Sequence, residues 1–574
     1  MRFLRSVLYF ACLVSAGWSA DLQITLRHTV SGEPLRLDSL RYKNTAGETY
    51  SLTRLSYLLS GFALQDVEGN WVELGQQYLW VDAEKSRLST AIAEAPAGVF
   101  RAIRFDLGLP EDVNHGDPGQ YGATHPLNPN FNRLHWDWKG GYIFLAVEGR
   151  YRARNDELPG YVYHLANDWN RTPVQLEAMI DLRESAAVEI TLDLGALLNA
   201  PRPISLMGDG ASTHSAKDDP IAAKLVANIR SAFQVNRVHS VVRREEPKLL
   251  PIDLPEKFTP YRFQLSGTFP IPNLPVDNPL IEERVALGKR LFEDKRLSRD
   301  NTIACTSCHA EEVAFSDNKR LSEGINGQRS RRHSMPLFNL AWKSEFFWDG
   351  RSPSLREQVL VAILDPTEMG ESFPHLLEKL KADASYRADF AAAFESGAIT
   401  EETIGLALEN FLLTLISDDS RFDRSMRGTA ELSELEKRGF ALFMTEYEPR
   451  SGRFGADCFH CHGGPLFTDH QFHNNGLALD GDLGRYLATK KNADRAQFST
   501  PSLRNVALTA PYMHDGRFST LEEVIRHYAE GVQSSDTLDP NLAKHPSGGL
   551  ALNEADQRAL VAFLRSLTDE QFVK

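Results

Sequence analysis

The chain has 574 residues, with 63 Lys and Arg against 77 Asp and Glu, a formal net charge of −14 at neutral pH. That length exceeds what one hydrophobic core supports, so two to four domains are expected. The acidic balance argues against a nucleic-acid binder, which needs Lys and Arg clustered on phosphates.

The first residues, "MRFLRSVLYFACLVSAGWSA", carry Arg2 and Arg5, an apolar run from Val7 to Val14, and then small residues. This is the order of a secretory signal peptide, too short to span a bilayer. Residues 1–20 are assigned to it, with Ala16 a rival cleavage point. No later segment is apolar enough to cross a membrane as a helix, so a soluble, exported, periplasmic protein is expected.

Residues 21–240 read as β-rich. "LQITLRHTV", "YIFLAVEGRY", "GYVYHLA" and "AVEITLDLG" are short, partly alternating runs of β-branched and aromatic residues, separated by Gly, Asn, Asp and Pro. Strands without long intervening helices predict an all-β sandwich. Eight prolines then fall from Pro247 to Pro279. Residues 241–278 are therefore read as an extended linker, or a strap across a domain surface.

Helical periodicity takes over in "IEERVALGKRLFED" and "ELEKRGFALFM". Each segment leads into a cysteine motif, and Gly288 and Gly439 are each followed shortly by Leu-Phe. This weak internal repeat predicts two similar domains, 279–430 and 431–574. The final "NEADQRALVAFLRSL" reads as an amphipathic helix capped by Asn553. The expected fold class is multidomain, a sandwich followed by a mainly α-helical two-domain unit.

The chain has five cysteines, and Cys12 belongs to the leader. The other four form "CTSCH" (Cys305, Cys308, His309) and "CFHCH" (Cys458, Cys461, His462). C-x-x-C-H attaches heme c through two thioethers, with the histidine as axial iron ligand. A redox dithiol or a zinc pair is the alternative, but the histidine follows both times and no cysteine is left over. Two hemes can relay electrons or catalyse. Catalysis needs one open iron and an acid–base group above it, and spacing alone does not choose.

From about Pro279 onward the chain resembles the bacterial diheme cytochrome c peroxidase superfamily, which includes the maturases MauG and MbnH. The resemblance is carried by "CTSCH", "FFWDGRSPSLREQV", "DPTEMG", "CFHCH" and "TPSLRNVALTAPYMHDGRFSTLEEVIRHY". It implies that Trp348 exchanges electrons between the hemes. Glu368 is the implied acid–base residue over the first heme and Gln358 a distal-pocket neighbour, while Ala362 stands where relatives have proline. Typical members close the first iron with a loop histidine. "DNKRLSEGINGQRS" has none, and His333 aligns beside a following turn, so the first heme is expected to be five-coordinate and open.

Typical peroxidases also ligate the second iron with methionine, and Tyr528 occupies that position here. From the residues alone, Leu521, Val524, Ile525 and Tyr528 share one helical face, which leaves a plain core role open. Met513 and His514 are competing ligands. A phenolate donates charge to iron and favours high oxidation states. Asn339, with backbone carbonyls around Thr500 and Pro501, matches the family's calcium site.

The N-terminal region resembles MbnP through "VNHGDPGQYGATHPLNP", "LHWDWKGGYIFLAVEG" and "YVYHLAND". In that family a diheme enzyme oxidises a tryptophan to kynurenine, which helps bind copper alongside histidines. The resemblance implies Trp136 or Trp138 as the modified residue, Trp136 preferred. Copper ligands are sought among His135, His164, His115 and His125. In a strand, Trp136 and Trp138 share one face and His135 points to the other.

The expectation is thus a self-contained maturase with two hemes c, hydrogen peroxide as oxidant, its own N-terminal domain as substrate, and copper as the later ligand. One alternative is a peroxidase fed by a small periplasmic electron donor. Another is a non-enzymatic copper binder with an electron-relay tail. Whether the oxidation runs within one chain or between neighbours is open at this point.

Overall fold

A computed structural model describes residues 19–573, apart from 123, 137–139, 214, 242–251, 264, 266–268, 273, 450–451, 479–480 and 546–547. Trp138 and residues 1–18 of the expected signal peptide therefore lie outside the described residues.

Period-two alternation builds the first half. In β1 (Ser19–Val30) Leu22, Ile24 and Leu26 are buried, while Gln23 and Thr25 between them are partly exposed. The other main strands are β2 (Arg54–Asp66), β3 (Ser89–Pro96), β4 (Val99–Leu107), β5 (His135–Trp136), β6 (Gly141–Arg150), β7 (Gly160–Ala166), β8 (Thr172–Asp181), β9 (Ala186–Asp193) and β10 (Phe233–Ser240). One sheet runs β10-β9-β1, with β3 on the far side of β1 and a parallel β1–β9 pair that sets Leu22 opposite Ala186. The other runs β8-β4-β2-β6-β7, with β5 paired to the start of β6. Their inner faces share one core, as a sandwich requires.

Helices interrupt the all-β expectation, the longest of them near the end of the sandwich. α1 (Pro220–Ala232) is a 13-residue helix. Asp219 caps it, proline stands in its first turn, and Ile221, Leu225 and Ile229 form its buried stripe.

The outer face of the β6–β7 pair is covered. Every residue of β7 is buried, and so is all of β6 after Gly141. A strand facing water on one side would expose alternate residues. Here the second half of the chain sits on that face. Arg150 donates to the Ser535 carbonyl at 2.7 Å and also to the Leu538 carbonyl. A Cβ built on Gly160 would lie 2.2 Å from the Pro540 carbonyl oxygen.

That half is helical: α2 (Glu282–Glu293), α3 (Leu355–Leu364), α4 (Glu401–Leu413), α5 (Glu434–Phe443), α6 (Leu521–Arg526), α7 (Pro540–Ala543) and α8 (Glu554–Ser566). The faint repeat in the sequence has a packing cause. Gly288 of α2 lies so close to α4 that a Cβ would come within 2.0 Å of the Ala407 carbonyl oxygen and 2.8 Å of Phe411. Gly439 of α5 meets α8 in the same way, 2.0 Å from the Ala559 oxygen and 2.7 Å from Phe563.

The proline-rich segment is a strap over the first helical domain. The Asp253 carbonyl accepts from Arg284, and its carboxylate accepts from the Ser396 amide at 3.0 Å. Further on, Trp342 donates its indole N–H to the Pro270 carbonyl at 3.0 Å. Among the described residues, no helix is long and apolar enough to cross a membrane.

Candidate active site

Both cysteine motifs are single 3-10 turns, and all four thiols are free of disulfides. Burial pushes Cys305 and Cys458 up to about 12 and Cys308 up to about 11. Buried thiols of this kind are poor redox nucleophiles, whose thiolates need electropositive, accessible surroundings. The histidines are prepared differently. His309 Nδ1 lies 3.0 Å from the Phe315 carbonyl and His462 Nδ1 3.2 Å from the Phe467 carbonyl. A carbonyl only accepts, so Nδ1 carries the proton and Nε2 is left with its lone pair for a metal. Burial lowers both imidazoles, His462 to about 4, which keeps them neutral as ligation requires. Phe315 and Phe467 hold these carbonyls from matching left-handed conformations, φ 55° and 51°.

Beside the first motif lies a cavity of about 760 Å³, lined by Cys305, Cys308, His309, Trp348, Gln358, Ala362 and Glu368 among others. α3 presents Gln358 and Ala362 one turn apart on one face. Burial, helped by the Asp365 charge and opposed by Arg351, raises the Glu368 carboxyl to about 7. A carboxyl near neutrality in a cavity is suited to move a proton. The loop without a histidine closes against Glu368. Ile325 N–H donates to the Glu368 carbonyl at 2.8 Å, and any Cβ on Gly324 would lie 2.5 Å from that oxygen. His333 lines the same cavity, with Nδ1 3.1 Å from the Lys319 carbonyl. Trp348 is fixed to both helical domains: its indole donates to the His333 carbonyl at 2.8 Å, and its own carbonyl accepts from Ser499 at 2.7 Å.

Around the second motif, α6 ends at Arg526 and the chain continues as a π turn, His527–Gly531. Such turns re-aim side chains and collect at functional sites. Leu550 N–H donates to the Tyr528 carbonyl at 2.8 Å, behind the turn. The Tyr528 hydroxyl accepts from Asn475 at 3.2 Å, and the same amide approaches Met513 sulfur at 3.6 Å. Burial pushes the phenol up to about 12, so without a metal it is neutral near pH 7. His514 is instead stacked on Phe498, ring centroids 3.7 Å apart.

Residues 282–431 match the family described as di-haem cytochrome c peroxidase, and residues 19–215 match the MbnP family. The methylamine utilization protein MauG of Methylorubrum extorquens is 38% identical over 317 residues, covering 54% of this chain and 84% of that protein. The chain belongs to the diheme cytochrome c peroxidase and MauG family. The cytochrome c551 peroxidase of Pseudomonas aeruginosa is 32% identical over 324 residues, 54% of this chain and 86% of its own. A crystal structure of a MauG-like protein associated with microbial copper homeostasis is 35% identical, covering 55% of this chain and 97% of that one, with a TM-score of 0.49. Membership of the diheme family implies two hemes c, and the first cavity together with the two matched histidine sites fits them.

At the expected calcium position the groups already have protein partners. Both ends of the Asn339 amide are engaged by Ser417, Oδ1 accepting at 2.9 Å and Nδ2 donating at 3.0 Å. The Thr500 carbonyl accepts from Thr468 at 2.8 Å. The small cavity that Asn339, Thr500 and Pro501 line also receives Lys343. The Lys343 ammonium donates to the Ser499 hydroxyl at 3.2 Å.

The four candidate copper histidines are not brought together. His164 has its ring 6.3 Å from that of Trp136, which is buried. His135 points the other way and packs edge-on against Tyr142. His115 is held by Asp168 at 2.7 Å and Gly140 at 2.6 Å, and His125 stacks on Tyr121. Among the described residues two clusters have metal-ligand spacing, Cys461-His473-Asp539 and Glu446-Asp457-His460, and neither includes these four. Each already includes or touches a cationic side chain. His473 is bracketed by Asp469 and Asp539, which against the downward pull of burial hold its pKa well above the ordinary value. Lys544 contacts both Glu446 and Asp457. Sequence reasoning missed His460 altogether, because the variable positions of a C-x-x-C-H motif carry no constraint from heme attachment.

Proposed function

We propose that this chain is a periplasmic, self-modifying oxidoreductase: its diheme half consumes hydrogen peroxide and oxidises Trp136 of its own N-terminal domain towards kynurenine, preparing a copper site. Heme c, when bound, supplies the oxidising power of peroxide. Cys305, Cys308 and His309 would hold the first heme, and Cys458, Cys461, His462 and Tyr528 the second. Glu368 moves the peroxide proton, with Gln358 beside it. Trp348 spans the two heme domains as the electron link. The single observation that carries this reading is the location of Trp136, buried beside His164 on the sheet face that the second heme domain covers. His164 is then the first copper ligand to test.

The experiment is peptide mass spectrometry of the heme-loaded protein after peroxide. Oxygen addition or a kynurenine mass at Trp136, abolished in Cys305→Ser and strongly slowed in Glu368→Gln, supports the reading. Modification at Trp138 instead would move the substrate by two residues and keep the reaction. The second reading is a peroxidase that draws electrons from a small redox protein, and the likeness to cytochrome c551 peroxidase favours it. Intact tryptophans alongside fast turnover of reduced cytochrome c would select it.

A further inference from the structure

We propose that the imidazoles of His460 and His164 form the bridge through which the second heme site draws electrons from Trp136, and that this transfer runs within one chain. The inference rests on the proposed oxidation of Trp136 and specifies its route.

The two heme motifs differ at one informative position. In "CTSCH" the third residue is Ser307, whose hydroxyl turns back to accept from the Ala304 backbone at 3.1 Å. In "CFHCH" the same position is His460, whose side chain is only 4% exposed. Its ring lies 5.8 Å from that of His164, and the His164 ring lies 6.3 Å from Trp136. Two flat side chains thus fill the interval between a heme cysteine pair and a buried indole. The bridge is fixed from both ends. His164 Nε2 is 2.9 Å from Glu148, and His460 Nε2 is 3.0 Å from Glu446.

The strand register explains why His164 faces the heme domain. β6 and β7 pair Ala146 with His164, Glu148 with Val162, and Arg150 with Gly160. Directly opposed residues share a face of the sheet. Arg150 and Gly160 are the residues that meet 535–540, so His164 and Glu148 are turned to the same side. Glu148 is held there by Arg54, 2.7 Å away, on one side and by His164 on the other.

The electrons balance. One peroxide takes two electrons and two protons and becomes two waters. One indole gives two electrons, releases two protons and takes up the oxygen of one water. The net change is one indole and one peroxide to one hydroxylated indole and one water, and a second peroxide carries the ring towards opening. The imidazoles conduct and are not consumed.

The test compares wild type, His460→Leu and His460→Phe, all heme-loaded. In His460→Leu the mass gain at Trp136 should slow by an order of magnitude. The absorption changes induced by peroxide should persist longer in the same measure, because their source of electrons is cut. His460→Phe, which keeps a flat ring, should recover much of both. Unchanged rates and lifetimes in His460→Leu overturn the bridge while leaving Trp136 oxidation standing. An unmodified Trp136 in wild type removes the reaction itself. For the route within one chain, isotope-labelled Glu368→Gln protein is mixed with unlabelled Trp136→Phe protein and treated with peroxide. The labelled Trp136 should be oxidised no faster than in the labelled protein alone, and faster oxidation in the mixture would overturn transfer within a chain.

Discussion

Glu368 and Tyr528 are polar groups whose surroundings set them at opposite poles of reactivity. Burial brings the Glu368 carboxyl to about 7, so it is protonated in mild acid and becomes a base as pH rises through neutrality. Reaction of the heme-loaded protein with peroxide should therefore accelerate between mildly acidic and mildly alkaline pH. Stopped-flow absorption should show this step flattened in Glu368→Gln and the rate reduced ~10²- to 10⁴-fold, the range for losing a positioned proton carrier. Tyr528→Met should raise the reduction potential of the second heme, read by spectroelectrochemistry, and shorten the life of its oxidised state, since a thioether donates less charge than a phenolate. The cysteines and axial histidines were legible in the sequence because heme attachment fixes their spacing. Glu368 and Gln358 were legible only through family resemblance, since a lone Glu or Gln carries no periodic signature. The partner of Asn339 was not legible, since Ser417 lies 78 positions away and no local pattern announces it.

The α2–α4 and α5–α8 pairs are one packing solution used twice. In each, a glycine lets a helix backbone rest on a carbonyl of the other, ahead of a heme motif. Gly288→Ala or Gly439→Ala should each cost ~1–3 kcal/mol, the usual range for overpacking a tight contact. Denaturant titration of the heme-loaded protein would measure it, with the damage confined to the domain that carries the change. The glycines stood out in the sequence because each precedes Leu-Phe on an amphipathic segment. Two other elements read less well. α1 was absorbed into an all-β expectation although Asp219, Pro220 and the Ile221-Leu225-Ile229 stripe announced a helix. The π turn at Tyr528 left no trace, because its backbone depends on residues near 550 packing behind it.

Between the sandwich and the helical half, the β6–β7 face is the joint. Its fit depends on a residue with no side chain, since Gly160 lies against the Pro540 backbone. Gly160→Val should unseat the sandwich, open the proline-rich strap to protease and stop oxidation of Trp136. Both hemes should stay attached and reactive towards peroxide, as mass spectrometry and absorption would report. The sequence offered the two halves and the strap, but not the joint. A strand buried on both faces looks the same in sequence whether a second sheet or a foreign domain covers it. The seat formed by Gly160 and Pro540 also bears on the arithmetic of the proposed reaction. An enzyme whose substrate is a covalently attached part of itself acts as a reagent rather than a recycling catalyst, so each polypeptide delivers one finished product. Its maturation half-time should be the same in dilute and concentrated solution, and the yield should follow the amount of chain made rather than the time allowed.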